Sequence, residues 1–128
     1  MRIRLAGVLI AVSLVTAGAA QSGDGLGKVD FPNSCSPAVQ DKLLRGIAML
    51  HSFYYSAAQR AFEEVAADDT SCAIAAWGYA SILMSNPLQG IGASSKGAEQ
   101  AQAAIDKGRK MGARTERERD YLEAVAAY

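Results

Sequence analysis

The stretch Val39-Gln40-Asp41-Lys42-Leu43-Leu44-Arg45-Gly46-Ile47-Ala48-Met49-Leu50-His51, with Ala58-Gln59-Arg60-Ala61-Phe62-Glu63-Glu64-Val65-Ala66 after a break at Ser52-Phe53-Tyr54-Tyr55, decides the fold class. Val39, Leu43, Ile47 and Leu50 recur at helical spacing, and Leu44 and Ala48 widen the stripe. Gln40, Asp41, Lys42 and Arg45 fall elsewhere, as in an amphipathic helix. Ser36-Pro37 supplies the start: a serine oxygen for the first free N–H groups and a proline where no bond is lost. The second stretch repeats the arrangement, with Ala58, Ala61, Phe62, Val65 and Ala66 set against Gln59, Arg60, Glu63 and Glu64. Two such helices joined by a short break form an antiparallel pair.

The same reading extends to the C-terminus. Cys72 to Met84 is apolar nearly all round (Ile74, Ala75, Trp77, Tyr79, Ile82, Leu83), which predicts the most buried helix, halted at Asn86-Pro87. Leu88 to Ser94 reads as a loop. Ser95 to Met111 reads as a fourth helix with Ala98, Ala101, Ala104, Ile105 and Gly108 on one side and Gly112 as its cap. Thr115 with Glu118 predicts a capping box opening a fifth helix, whose stripe is Tyr121, Leu122, Val125 and Tyr128. No stop signal follows Tyr128. The expectation is therefore a fragment of a longer protein, or a last helix that self-associates.

Upstream, residues 1–20 have the form of a secretory signal peptide. Basic Arg2 and Arg4 precede an uncharged run from Leu5 to Val15, too short to span a bilayer, and the small residues Ala17-Gly18-Ala19-Ala20 follow. Residues 21–35, rich in Gly, Ser and Asp, read as a flexible linker, and residues 36–128 as the folding part. Of 128 residues, 50% are hydrophobic but only 7% aromatic, a composition of close-packed helices rather than sheets. The 13 basic residues balance the 13 acidic ones, and removing Arg2 and Arg4 leaves the mature chain at a formal charge of −2. That balance argues against nucleic acid as a partner. No membrane span is expected after the signal is removed.

Candidate chemistry is sparse, and neither a catalytic set nor a cofactor nor a metal site is read from the sequence. Cys35 and Cys72 are the only cysteines. In an oxidising compartment an even count suggests a disulfide, while two buried thiols or a redox or metal pair remain open alternatives. His51, the only histidine, falls near a helix C-terminus, where the dipole favours it structurally. Glu63-Glu64 with Asp68-Asp69 reads as a solvated helix end lacking the spacing of a calcium loop. Arg109, Lys110, Arg114, Arg117 and Arg119 read as an exposed basic rim that could meet an acidic peptide. Gly90-x-Gly92 follows no strand and is not a nucleotide fingerprint.

The spacing of Gly46, Ala58 and Phe62 resembles the tetratricopeptide repeat, a 34-residue helix pair. Ser34-Cys35-Ser36, Leu50-His51-Ser52-Phe53-Tyr54-Tyr55, Cys72-Ala73, Ala75-Ala76-Trp77-Gly78, Asn86-Pro87 and Arg117-Glu118-Arg119-Asp120-Tyr121 are similar to the N-terminal part of exported bacterial tetratricopeptide-repeat proteins. The resemblance implies an all-α fold of antiparallel helix pairs stacked as an α-solenoid. It gives Gly46, Ala58, Phe62, Trp77 and Ala101 a role in packing the repeats, with Trp77 one residue beyond the strict register and Ala101 displaced by a longer loop. It implies a non-enzymatic, exported (periplasmic or secreted) scaffold that binds a protein or peptide on the concave face. The alternative is the N-terminal helical module of a larger exported enzyme whose catalytic part lies beyond Tyr128.

Overall fold

The computed structural model describes residues 25–86 and 92–128. The expected signal peptide, the start of the expected linker, the expected stop at Pro87 and most of the loop after it lie outside the described residues. A short 3-10 turn (Pro37–Val39) leads into α1 (Gln40–His51), followed by α2 (Tyr55–Asp68), α3 (Ile74–Leu83), α4 (Ser95–Met111) and α5 (Glu116–Ala126). The chain is all-helical, with no strand among the described residues.

The helix ends follow the cap chemistry written in the sequence. The Ser36 hydroxyl accepts from the Ala38 N–H, and the Ser94 hydroxyl accepts from the Gly97 N–H at 3.0 Å to open α4. Gly112 closes α4 at φ +82°, the left-handed region that glycine reaches without steric cost. Thr115 and Glu118 complete a reciprocal capping box at α5. The third helix begins two residues later than Cys72, because the Asp69 side chain folds residues 69–72 into a turn by accepting from the Ser71 N–H at 2.9 Å.

Packing proceeds in chain order: α1 on α2, α2 on α3, α3 on α4, and α5 on both α3 and α4. A lighter contact joins α1 to α3, whereas no comparable packing joins α2 to α4 among the described residues. Small residues set the spacing. The Phe62 ring, 1% exposed, lies between Gly46 of α1 and Gly78 of α3. A Cβ on Gly46 would stand 3.2 Å from the ring, and one on Gly78 would overlap it. Ala58 is fully buried beside this wedge. In α4, Ala101, Ile105 and Gly108 repeat the spacing of Ala58, Phe62 and Val65, and all but Gly108 are core residues. A Cβ on Gly108 would come within 2.9 Å of both Ala76 and Leu122. Ala101 is thus buried on α4 as Ala58 is on α2, and Gly78 faces the Phe62 ring from α3 as Gly46 does from α1.

The lead-in differs from the expectation. Residues 21–35 read as a flexible linker, yet Phe31 and Cys35 are buried and Leu26 and Val29 pack against the core. Phe31 stacks on Trp77 with ring centroids 5.5 Å apart and meets Tyr121 edge-on at 5.3 Å. The partners of this aromatic residue are far along the chain, so local composition could not show them. The stripe on α5 is largely used within the chain as well: Tyr121 joins that cluster and Leu122 is 1% exposed, while Tyr128 remains open.

Phe62 and Gly78 should therefore be strongly coupled. Gly78→Ala is expected to destabilise the chain by roughly 1–3 kcal/mol, despite the better helix propensity of alanine, because the ring cannot yield in a packed core. Combined with Phe62→Leu, the same change should cost much less than the sum of the single variants. Urea unfolding of the four proteins measures the difference.

Candidate functional site

Two places in the fold gather side chains that packing of the helix pairs alone does not require. The first is the closure of the lead-in onto α3 and α5. The structure joins Cys35 and Cys72 in a disulfide, Cα atoms 4.7 Å apart, at a sequence separation of 37. Asp69 holds both flanks of this bond. Its carboxylate accepts from the Ser36 N–H at 2.7 Å, and from the N–H and hydroxyl of Ser71. The Ser36 amide, with those of Ser71, keeps the Asp69 carboxyl below its usual value. Cys35, Asp69 and Cys72 are also the one grouping of metal-ligand type among the described residues, their donor atoms within 4.8 Å. With the sulfurs oxidised they offer no thiolate, and the bonds to Ser36 and Ser71 account for the carboxylate's position.

Glu118 is the second carboxylate of this closure and is 1% exposed. It accepts from the Ser34 N–H at 2.8 Å, from the Ser34 hydroxyl on both oxygens, and from the N–H and hydroxyl of Thr115. Burial works against its charge, but the bonds from Ser34 and Thr115 outweigh burial, and its pKa lies below the ordinary value. The capping-box glutamate thus does two jobs: it caps α5 and anchors the lead-in. The basic rim is likewise consumed in part. Arg114 donates to the Ser34 carbonyl and the Ser71 hydroxyl. Arg117 donates to the Pro32 carbonyl at 2.6 Å and lies over the rings of Phe31 and Tyr121 at 4.6 and 5.0 Å. Arg109 pairs with Glu123 and Asp106. The expected acidic cluster divides: Lys42 bridges Glu64 and Asp68 at the surface, and Asp69 turns inward. His51 lies exposed in the last turn of α1.

The second place is a groove of about 480 Å³ where α2 and α4 stand apart over α3. Ala66, Ala67, Ala75, Ala76, Ala103 and Ala104 line it, Tyr79 and Met111 add larger apolar surface, and Glu63 and Lys107 mark its rim. Walls of alanine leave the groove wide and shallow, suited to side chains entering from outside. Sequence reasoning found the helices that build it but not the groove, which exists because α2 and α4 each pack on α3 far more than on each other. Of the residues singled out earlier, Gly46, Ala58, Phe62 and Ala101 lie in the helix interfaces. Trp77 lies with the lead-in, and the two cysteines lie at its base. Glu118 and Asp69 were missed in their inward roles, and only the Thr115 capping signal pointed toward the first.

No protein-family model, curated protein or solved structure matches the chain.

Acid should loosen this closure first. The Glu118 and Asp69 values are depressed in the fold and ordinary in the unfolded chain. Their stabilisation is therefore complete above about pH 4.5 and is lost as pH falls through the depressed values. Urea midpoints measured from pH 7 to pH 3 should fall steeply for the wild type and less for Glu118→Gln, which at pH 7 is expected to cost roughly 2–3 kcal/mol. Removing the disulfide in a Cys35→Ser, Cys72→Ser double variant should cost about 4 kcal/mol and lower the melting temperature by roughly 15–20 °C. A calorimetric shift under 5 °C would show that the crosslink adds little to what Asp69 and Glu118 already hold.

Proposed function

We propose that this chain is an exported helical-repeat scaffold, without enzymatic activity of its own, that binds a segment of a partner protein or peptide. The observation that carries the reading is the open, alanine-lined groove between α2 and α4, flanked by oppositely charged Glu63 and Lys107. Helix pairs that pack only on their sequence neighbours leave such grooves as extended surfaces rather than enclosed pockets. The recurrence of Ala58 and Phe62 as Ala101 and Ile105 supports the repeat character. The basic start, apolar run and small-residue exit of residues 1–20 support export, and the disulfide suits an oxidising compartment. No described helix is long and apolar enough to cross a membrane.

The groove is the place to test. A photo-cross-linker in place of Ala103 should capture one discrete partner from the exported fraction, where the processed chain is expected to begin near Gln21. A cross-linker at exposed Arg60 should not. Ala103→Arg, at an exposed position of the groove wall, should abolish capture by a linker at Ala67 while leaving the melting temperature unchanged. Capture that survives Ala103→Arg would refute the groove as the binding surface.

A further inference from the structure

The lead-in is bound to the helices in the way a separate peptide would be bound. Residues 26–34 form neither helix nor strand, and Phe31 is the one buried side chain among residues 25–34. The groups that hold it come from elsewhere. Trp77 of α3 stacks on the Phe31 ring with 10° between planes, Tyr121 of α5 closes the edge, and the Arg117 guanidinium covers a face at 4.6 Å. Arg117 also donates to the Pro32 carbonyl, and Arg114 donates to the Ser34 carbonyl. Side chains that donate to main-chain carbonyls grip an extended strand of any sequence, while the aromatic cleft selects one ring within it.

The hold is uneven along the segment. Past Pro32, the Glu118 bonds to Ser34, the Asp69 bond to Ser36 and the disulfide at Cys35 fix the chain. Before Phe31 the segment has Leu26 and Val29 half-buried beside α1, while Gly25, Gly27, Lys28 and Asp30 are exposed and the two glycines hold positive φ. The segment can therefore leave its cleft by pivoting about a fixed end, and the cleft it leaves behind is built entirely from α3 and α5.

We propose that the cleft formed by Trp77, Tyr121 and Arg117 is a recognition site for an extended polypeptide segment of a partner protein carrying a Phe-Pro pair, and that residues 25–34 are its resident intramolecular occupant. The lead-in is then a tethered competitor: the partner segment binds in proportion to the fraction of chains whose own Phe31 has swung out. This surface is separate from the α2–α4 groove. At 100° per residue, Trp77 points roughly 150° away from the direction of Ala75, Ala76 and Tyr79 on α3. The two proposals stand or fall independently.

The full chain with Phe31→Ala keeps the disulfide and the Glu118 anchor while emptying the cleft. An acetylated and amidated peptide, Val-Asp-Phe-Pro-Asn, is titrated into it, and the emission of Trp77, the single tryptophan of the chain, is followed. Phe31→Ala is expected to give a saturable change, the wild type to respond about tenfold or more weakly because its cleft is filled, and the peptide with alanine for phenylalanine to give none. Arg117→Ala added to Phe31→Ala should weaken the response, while Ala103→Arg added to it should leave the titration unaltered. A folded Phe31→Ala chain without a saturable response, or with a response equal to that of the wild type or of the alanine peptide, overturns the proposal. Should Phe31→Ala not fold, Phe31→Leu, which keeps more of the packing, is titrated in the same way and judged by the same outcomes.

Discussion

The first three helices of this fold are spaced by the ring of Phe62. A phenyl group wedged between two glycines, one on α1 and one on α3, fixes how closely three helices approach, because neither Gly46 nor Gly78 can carry a Cβ without displacing it. The ring supplies the apolar area and the glycines supply the room, and neither is of use alone. On α4 the same spacing of buried residues recurs with smaller parts. Ala101 and Ile105 occupy the places of Ala58 and Phe62, and Gly108 lets α4 settle against Ala76 and Leu122. Close approach of each helix to its sequence neighbours leaves α2 and α4 without packing comparable to theirs among the described residues, and the groove opens between them.

The chain covers one surface of α3 and α5 with its own lead-in. That closure is unusually polar for something so well buried. Two carboxylates, Asp69 and Glu118, each accept bonds from both the lead-in and the turn they stand in. No buried side-chain nitrogen or oxygen among the described residues lacks a partner. A buried charge is tolerable only under such full satisfaction. The consequence is a joint whose carboxylate bonds and crosslink are concentrated at Ser34 to Ser36.

Much of this was legible in the order of residues. The period of Val39, Leu43, Ile47 and Leu50 gave α1, the Thr115 and Glu118 pair gave the start of α5, and Gly112 gave the end of α4. These signals are local: a cap or a stripe is complete within a few turns of chain. What the sequence hid is non-local. Phe31 sits in a stretch of glycine and aspartate that has the composition of a linker, and its partners Trp77 and Tyr121 are reached only after the helices have packed. Arg114 and Arg117 look like surface charges until the carbonyls of Pro32 and Ser34 arrive beside them. Gly78 was within reach, since it follows Trp77 in the most apolar helix and stands in α3 where Gly46 stands in α1.

The bond between Ser34 and Glu118 spans 84 residues, and this span has a kinetic consequence. A chain is made from its N-terminus, so the lead-in emerges first and must wait for α5, the last described helix, before its carbonyls and its aromatic ring find their donors. Cys35 and Cys72 stand only 37 residues apart, so the crosslink closes a much shorter loop and can hold Cys35 beside α3 before Ser34 finds Glu118. Contacts of such sequence separation are slow to form from an open chain. Crosslinked at Cys35, the waiting segment instead searches a small volume, and its final docking becomes a local event.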